Sequence, residues 1–350
     1  MGVDLKVAVI GANRTNMGLG AFIARKFHEA EGTELTAYWC KSEASATDAA
    51  TNPRKIGPKA TTNATPYFAF DPSNLGSIVG SIDKMLSTNP DIVAICSPSD
   101  THLDYLQMAL DHNAHVLVEK PIAESSPEKI EEDLEQAIYL VKRAEENNLV
   151  IAYNASLATL VQPYKEAVGG LDDNKFEIGM HMPKKELLSV RTVEYTFLAH
   201  TIGILQAYFG PNFGISDIER KPNEDETEVG INYKFKLTRE GYDDVDCSID
   251  LSAPINGVKK SVRYFGANGQ RADIESGRLN IHEQRSGQNF GLPVTDYQDT
   301  IITDMIHAIK TGEQPLLDGR AMVMNQVLSH VLMGDLAEDK VQDYHDRLYN

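Results

Sequence analysis

Ala114-His115-Val116-Leu117-Val118-Glu119-Lys120-Pro121 is a nearly unbroken apolar run that ends in a charged pair and a proline. A strand inside a parallel sheet is covered on both faces, so it reads as a continuous run rather than an alternation. The proline fixes the backbone and stops the strand. In an open α/β sheet the chemistry lies just beyond the carboxyl ends of the strands. Lys120 stands at such an end, which makes it either a catalytic candidate or an ordinary solvated lysine.

The surrounding sequence extends the pattern in both directions. Leu5 to Ile10, Glu34 to Cys40 and Asp91 to Cys96 read as further strands, with a short strand at Leu149 to Tyr153. Helical segments fit Gly18 to Glu31, Ile82 to Leu86, Thr101 to His112 and about Pro127 to Asn147. Leu103, Leu106, Ala109 and Leu110 recur at helix spacing. Glu128, Glu131, Glu132 and Glu135 read as the solvated face of the long helix. Strands alternating with helices predict a doubly wound parallel sheet with right-handed crossovers.

The pattern changes after about Asn154. A helix near Ala158 to Val168 leads into alternating stretches at Lys175 to Met182, Gly230 to Leu237, Asp244 to Leu251 and Lys259 to Phe265. Alternation fits a mostly antiparallel sheet with one covered face. Helices fit Leu198 to Phe209, Tyr297 to Lys310 and Gly319 to Leu332, and Lys221 to Glu226 reads as a polar loop. The expected organisation is α/β: a Rossmann domain over 1–153, then an α+β domain over 154–350 that binds substrate and oligomerises.

Bulk properties narrow the function. At 350 residues the chain suits two domains. Its net charge of −18 disfavours nucleic acid and anionic membrane surfaces, which bind through basic patches. No apolar run reaches the roughly 20 residues needed to span a bilayer. Three scattered cysteines, Cys40, Cys96 and Cys247, fit reduced thiols in a cytoplasm better than a disulfide framework. No leader is expected ahead of the first strand, and the sequence offers no metal-ligand spacing and no nucleophile elbow.

A strand, a glycine-led turn and a helix form an anion cradle, because the first helical N–H groups point at the phosphate. Here the turn runs Gly11-Ala12-Asn13-Arg14-Thr15-Asn16-Met17-Gly18. Asn13 holds the second glycine position, and Asn tolerates positive φ better than most residues. At the second strand's tip, Tyr38-Trp39-Cys40-Lys41-Ser42-Glu43 offers no carboxylate for a ribose. Lys41 and Ser42, helped by Arg14, could instead hold a 2′-phosphate, so NADP is preferred; with Glu43 on the ribose the cofactor would be NAD. Ser97 and Pro98, after the third long strand, lie where they could touch the cofactor. His102 is placed to bond the neighbouring loop.

Together these residues resemble the glucose-fructose oxidoreductase / inositol dehydrogenase / MocA family. The resemblance rests on Asp91 to Pro98 with Thr101-His102, on Ala109-Leu110 through Glu119-Lys120-Pro121, and on Gly266-Ala267-Asn268-Gly269. It continues through Ala308-Ile309-Lys310-Thr311-Gly312-Glu313-Gln314-Pro315 with Asp318-Gly319. It implies a nicotinamide-dinucleotide domain, a second domain whose open sheet forms a homodimer or homotetramer, and a sugar, cyclitol or related hydroxy or keto substrate. Lys120 matches the family's catalytic lysine and His200 its catalytic histidine. Thr196 and Gly203 stand where the family has acids, and Gly210 fits the helix-closing glycine.

Physically, His200 suits acid–base work near neutral pH, and Lys120 could stabilise developing negative charge on a substrate oxygen. Gly203 and Ala207 would leave room beside the imidazole, and Glu194 or Tyr195 could orient it. Tyr195 and Thr196 are placed as substrate contacts together with Lys120 and His200. His181 could line the pocket or lie on a sheet face, while Lys184, Lys185 and Arg191 could favour an acidic substrate or simply be solvated. Three readings follow: an NAD(P)-dependent dehydrogenase or reductase, a catalytically silent dinucleotide sensor, and an imine or double-bond reductase. The first requires Lys120 and His200 to converge over one nicotinamide ring.

Overall fold

The structure, a computed structural model, describes residues 4–14, 19–168, 175–184, 188–224, 228–254, 262–267, 270–275, 278–283 and 288–349. The chain forms two compact units. One comprises the residues up to Asn154 together with Gln298–Arg320; the other comprises Ala155–Tyr297 and the residues from Ala321 onward.

In the first unit the elements run β1 (Leu5–Ile10), α1 (Gly20–Glu29), β2 (Thr33–Cys40), α2 (Glu43–Thr51), α3 (Gly57–Thr61) and β3 (Thr65–Phe68). They continue with α4 (Leu75–Leu86), β4 (Ile92–Ile95), a 3₁₀ turn at Ser99–Thr101, α5 (His102–Asp111), β5 (His115–Glu119), α6 (Ile130–Glu146) and β6 (Ile151–Asn154). Among the described residues the six strands make one parallel sheet in the order β3-β2-β1-β4-β5-β6. Every side chain of β4 is buried, as an apolar run covered on both faces requires. The order reverses between β1 and β4, so the crevice of this fold lies there.

Register decides which residues meet at that crevice. Ile10 pairs with Ile95, Ile95 with Val118, and Val118 with Tyr153. The residues just beyond this level, Gly11, Cys96, Glu119 and Asn154, therefore form one row along the carboxyl edge of the sheet. Trp39, opposite Ile10, puts Cys40 and Lys41 at the same edge on the far side of β1.

After β6 come a 3₁₀ turn at Ser156–Leu160, α7 (Val161–Val168), β7 (Lys175–His181) and α8 (Val190–Phe209). Seven strands follow: β8 (Gly214–Glu224), β9 (Glu228–Thr238), β10 (Val245–Pro254), β11 (Val262–Ala267), β12 (Gln270–Glu275), β13 (Arg278–Glu283) and β14 (Asn289–Pro293). Among the described residues they form, with β7, an eight-stranded sheet, β14-β13-β12-β11-β7-β10-β9-β8, in which β7 and β10 pair parallel and the other pairs are antiparallel. Phe176 of β7 packs against Tyr208 and Phe209 of α8, tilted and edge-on, with ring centroids 4.7 and 5.2 Å apart, so that helix covers one face. The other face carries His181, Asp250, Tyr264, Arg271 and Asp273, which alternate with buried neighbours along their strands.

The chain then adds α9 (Tyr297–Thr311), α10 (Gly319–Met333) and α11 (Lys340–Tyr349). Here the structure departs from the division at 153/154. Residues 298–320 pack with the first unit, because Ile301, Ile302, Met305 and Ile306 make a helical stripe that joins the core of Val7, Phe27 and Ile92. Tyr153 N–H donates to Leu317 O at 2.9 Å, and Ala152 bridges Asp318. A boundary drawn from a change of periodicity could not foresee this return.

Other differences are local. The helix expected at Ile82 starts at Leu75, where Asn74 accepts from Ser77 N–H as its N-cap. The helix expected at Leu198 starts at Val190, capped by Ser189. Lys221 to Glu224 are strand, not loop, and Asp225 and Glu226 lie outside the described residues. The long acidic helix keeps Glu128, Glu131, Glu132 and Glu135 exposed, though it begins only at Ile130.

Candidate functional site

The turn after β1 is shaped by two glycines. Gly11 has φ +83°, and a Cβ there would lie 2.7 Å from Cys96 O. Gly20 opens α1, and a Cβ there would lie 2.0 Å from Gly11 O. The helix thus sits directly on the turn. Its N-terminus has no side-chain cap and no acidic residue in the first turn, which leaves N–H donors for an anion. Gly18 lies outside the described residues.

Asn13 and Arg14 leave this turn in opposite directions. The Asn13 side chain hydrogen-bonds Asp48 of α2, its main-chain N–H reaches the Cys40 thiol, and its Oδ1 is buried without a partner. Arg14 instead donates from Nη1 to the main-chain oxygen of Ser97, past β4. This corrects the expected use of Arg14 beside Lys41 and Ser42, which lie on the other side of β1. Lys41 is exposed, and Ser42 accepts from Ser45 N–H as the N-cap of α2. Asp48, also paired with Lys55, is held below the usual carboxylate range by those donors. These features fit a dinucleotide: a cradle that a Cβ would fill, an uncapped helix start and an orphaned buried amide oxygen.

On the β4–β6 side, Ser97 is buried and Pro98 exposed. His102 is buried, with Nε2 2.9 Å from Ser97 O and Nδ1 2.7 Å from Pro121 O. The ring therefore lies between the turn after β4 and the turn that follows Lys120, and as a neutral imidazole it donates to one of the two carbonyls. Two flanking carbonyls favour the imidazolium, but burial outweighs them and pushes the pKa down to about 4. Being enclosed, His102 positions these turns rather than touching a ligand. Glu119, the last residue of β5, is also buried. Burial pushes its carboxyl up to about 7, against the opposing pull of Lys120, the Asn154 amide and Arg14.

In the second unit, His200, Gly203 and Ala207 share a face of α8. Gly210 caps the helix with φ 86°. The Thr196 hydroxyl donates to Thr192 O at 2.6 Å, one turn back on its own helix. Glu194 is fully buried and accepts from Arg220 of β8 and Tyr233 of β9, so it braces the sheet. Tyr195 OH accepts from Arg191 at 3.0 Å, and Arg191 also pairs with Asp335. Lys184 is not a solvated cation: it is partly buried over the Phe197 ring, with its pKa lowered by burial. His181 bonds Ser252 at 2.7 Å on the sheet face. Lys185, Asn268 and Gly269 lie outside the described residues. Among those described, no group of three or more His, Cys, Asp or Glu could hold a metal, and no helix is long and apolar enough to cross a membrane.

Residues 5–155 match the GFO_IDH_MocA model, described as an oxidoreductase family with an NAD-binding Rossmann fold. That match covers the Rossmann domain of the first unit and less than half of the chain. Residues 5–155 carry the NAD-binding Rossmann domain of an oxidoreductase family. No curated protein matches its sequence. Among solved structures it is similar to UDP-N-acetylglucosamine 3-dehydrogenase GnnA from Acidithiobacillus ferrooxidans, with 18% identity, TM-score 0.69, and 97% of this chain and 100% of that chain covered. It is also similar to KijD10, a 3-ketoreductase from Actinomadura kijaniata in complex with NADP: 16% identity, TM-score 0.65, 95% and 97% covered. A third is an oxidoreductase from Agrobacterium radiobacter in complex with NAD+, L-tartaric acid and magnesium: 11% identity, TM-score 0.65, 96% and 97% covered. At these identities the likeness is one of fold.

Within this GFO_IDH_MocA frame, several residues at the sheet edge carry no sequence signal. Gly20 makes the close contact between helix and turn, and the helix starts two residues later than its pattern implies. Asn154 donates to Glu119 at 2.5 Å and to Gln298 Oε1 at 3.1 Å. Gln298 lies more than a hundred residues away in the chain, so only the return of α9 reveals this cluster. Asp48, one turn into α2, is the carboxylate that meets the dinucleotide turn in place of Glu43.

Proposed function

We propose that this oxidoreductase acts on a hydroxy or keto group of a sugar, cyclitol or related compound, with NADP preferred over NAD. The observation that carries the reading is the edge after β5. His102 packs between Ser97 O and Pro121 O, which holds the turn just after Lys120 against the turn after β4, beside the crevice at β1 and β4. The bound nicotinamide supplies or accepts the hydride. Gly11, Asn13, Gly20 and the first N–H groups of α1 hold the dinucleotide, with Lys41 and Ser42 beside the adenosine half. Ser97, Pro98 and Glu119 line the nicotinamide half.

Lys120 acts as the cation that stabilises negative charge on the substrate oxygen. His200 moves the proton of that oxygen, and Tyr195 and Thr196 contact the substrate from α8. The sugar-nucleotide dehydrogenase and the 3-ketoreductase named above support the sugar class. Exposed Lys41, with Ser42 beside it, supports a 2′-phosphate. The half-exposed polar face of the larger sheet supports a second copy of this chain as partner, and three free cysteines support a reducing cytoplasmic compartment.

The test is kinetic. Lys120→Ala and His200→Ala are expected to lower kcat by orders of magnitude with any accepted sugar substrate, while cofactor affinity stays within a few fold. Full turnover in either variant removes that residue from the chemistry. Failure of every sugar, cyclitol or keto substrate, alongside reduction of an imine, would move the assignment to double-bond reduction.

A further inference from the structure

We infer that Arg14 sets the preference of this site between the two redox forms of its cofactor, favouring the reduced dinucleotide. The inference rests on cofactor binding at the sheet edge, as proposed above.

A doubly wound sheet divides its ligand between two halves. The ribose-binding tip of the second strand fixes the adenosine half on the β1–β3 side. The remaining half, with the nicotinamide, then belongs to the β4–β6 side. Arg14 starts on the turn after β1, yet its guanidinium crosses to this second side and bonds Ser97 O. Ser97 follows β4 directly, in the row that register aligns with Gly11 and Glu119. The field of Arg14 reaches three groups of this row, namely Cys96, His102 and Glu119.

Oxidised and reduced nicotinamide dinucleotides share phosphates, riboses and shape at the adenosine end. They differ by one positive charge on the nicotinamide ring. A fixed guanidinium on that side therefore opposes the oxidised ring and leaves the neutral one unaffected. At an effective dielectric of about 20, a unit charge within about 10 Å changes such a ratio on the order of tenfold.

The carboxyls around Arg14 offset it only in part. His102 is neutral at physiological pH, Lys120 adds a second cation, Glu119 is only partly ionised near neutrality, and Asp100 is exposed and screened by water. Ser97 offers a carbonyl, not a counter-charge, so the guanidinium is bound there without being neutralised. Such a site releases the oxidised cofactor readily and recruits the reduced one, which is the bias of a carbonyl reductase.

Equilibrium binding tests this without turnover. Dissociation constants for NADPH and NADP+ are measured by calorimetry on the full-length wild type, Arg14→Lys and Arg14→Met. The wild type and Arg14→Lys are expected to bind NADPH about tenfold or more tightly than NADP+. Arg14→Met should narrow that ratio by about tenfold, chiefly by tightening NADP+. An unchanged ratio in Arg14→Met overturns the role of Arg14, and equal affinities in the wild type do so as well. No binding of either form to the wild type overturns the cofactor reading itself, and this inference falls with it.

Discussion

Glu119 and His102 are both buried at the carboxyl edge of the parallel sheet, and burial moves their pKa values toward and past each other: the acid rises from 4.5 to about 7 and the imidazole falls from 6.5 to about 4. Each prefers its neutral form in the folded protein. For Glu119 the folded pKa is raised, so its contribution is complete below 4.5 and is lost as pH rises through 7. For His102 the folded pKa is depressed, so its contribution is complete above 6.5 and is lost as pH falls through 4. Each is worth about 3 kcal/mol over its window, with opposite sign, so in the wild type the two nearly offset one another.

Single substitutions should expose the hidden slopes. Relative to the wild type, Glu119→Gln is expected to lose about 3 kcal/mol of stability on acidification from pH 7 to 4. His102→Gln should gain a similar amount over the same range. Urea denaturation at several pH values measures this, and parallel curves for all three proteins would show that neither group is perturbed in the fold.

The Asn154 amide is the one side-chain donor to the Glu119 carboxyl among the bonds described, and it also reaches Gln298. Asn154→Ala should cost about 1–3 kcal/mol by leaving buried acceptors unsatisfied. Asn154→Asp adds a second carboxyl beside Glu119, and like charges at contact cannot both ionise. That variant is expected to be near wild type at pH 5 and to lose several degrees of Tm more than Asn154→Ala at pH 8. Equal melting of the two variants at pH 8 would count against a buried carboxyl pair.

The parallel sheet is legible in the sequence because its strands are covered on both faces: Val116 to Val118 and Ile92 to Ile95 have no other stable reading. Lys120 and Pro121 are legible for the same reason, since a strand end marks itself. Half-buried edge elements are not. β3 is four residues long and exposed at Thr65 and Pro66, and β12 to β14 mix Arg, Asp and Asn into their alternation, so neither periodicity rises above a loop. The site residues that sequence does not disclose are those whose meaning is tertiary. Asn154 and Gln298 meet only because α9 returns to the first unit. Arg14 reads onto the wrong side of β1 because a side chain leaving a turn has two directions open to it, and sequence does not choose between them.

Gly20 carries a packing demand that its neighbour in sequence does not reveal. A methyl group on Gly20 would lie only 2.0 Å from Gly11 O, so Gly20→Ala must push α1 off the turn. The cost should be about 3 kcal/mol or more, with dinucleotide affinity falling in parallel. Gly80 is the internal control: it lies in the exposed part of α4 with nothing within 4 Å of a Cβ, so Gly80→Ala should stabilise by about 0.5–1 kcal/mol. Thermal melts of both variants, with and without NADPH, separate the two effects. A Gly20→Ala protein that melts and binds like the wild type would refute the close contact.

Asp335 joins an arginine and a histidine in the second unit. It accepts from Arg191 and lies 2.9 Å from His330 Nδ1, while Gln326 reaches the other ring nitrogen at 2.8 Å. Desolvation works against its charge, yet the Arg191 and His330 hydrogen bonds win, and its pKa is lowered. A lowered folded pKa means that its contribution is present above the ordinary carboxylate pKa and fades as pH falls through the folded value. Its side chain is 11% exposed and that of Arg191 32%, so part of the Arg191 attraction is screened by water. Asp335→Ala should therefore cost about 2–3 kcal/mol at pH 7, less than a fully enclosed pair would. Because Arg191 also holds Tyr195, the variant should raise KM more than it lowers kcat if Tyr195 contacts substrate. A double-mutant cycle with Arg191→Ala reads the coupling directly. Additive losses, with KM unmoved, would mean that the cluster braces α8 and has no hold on the substrate.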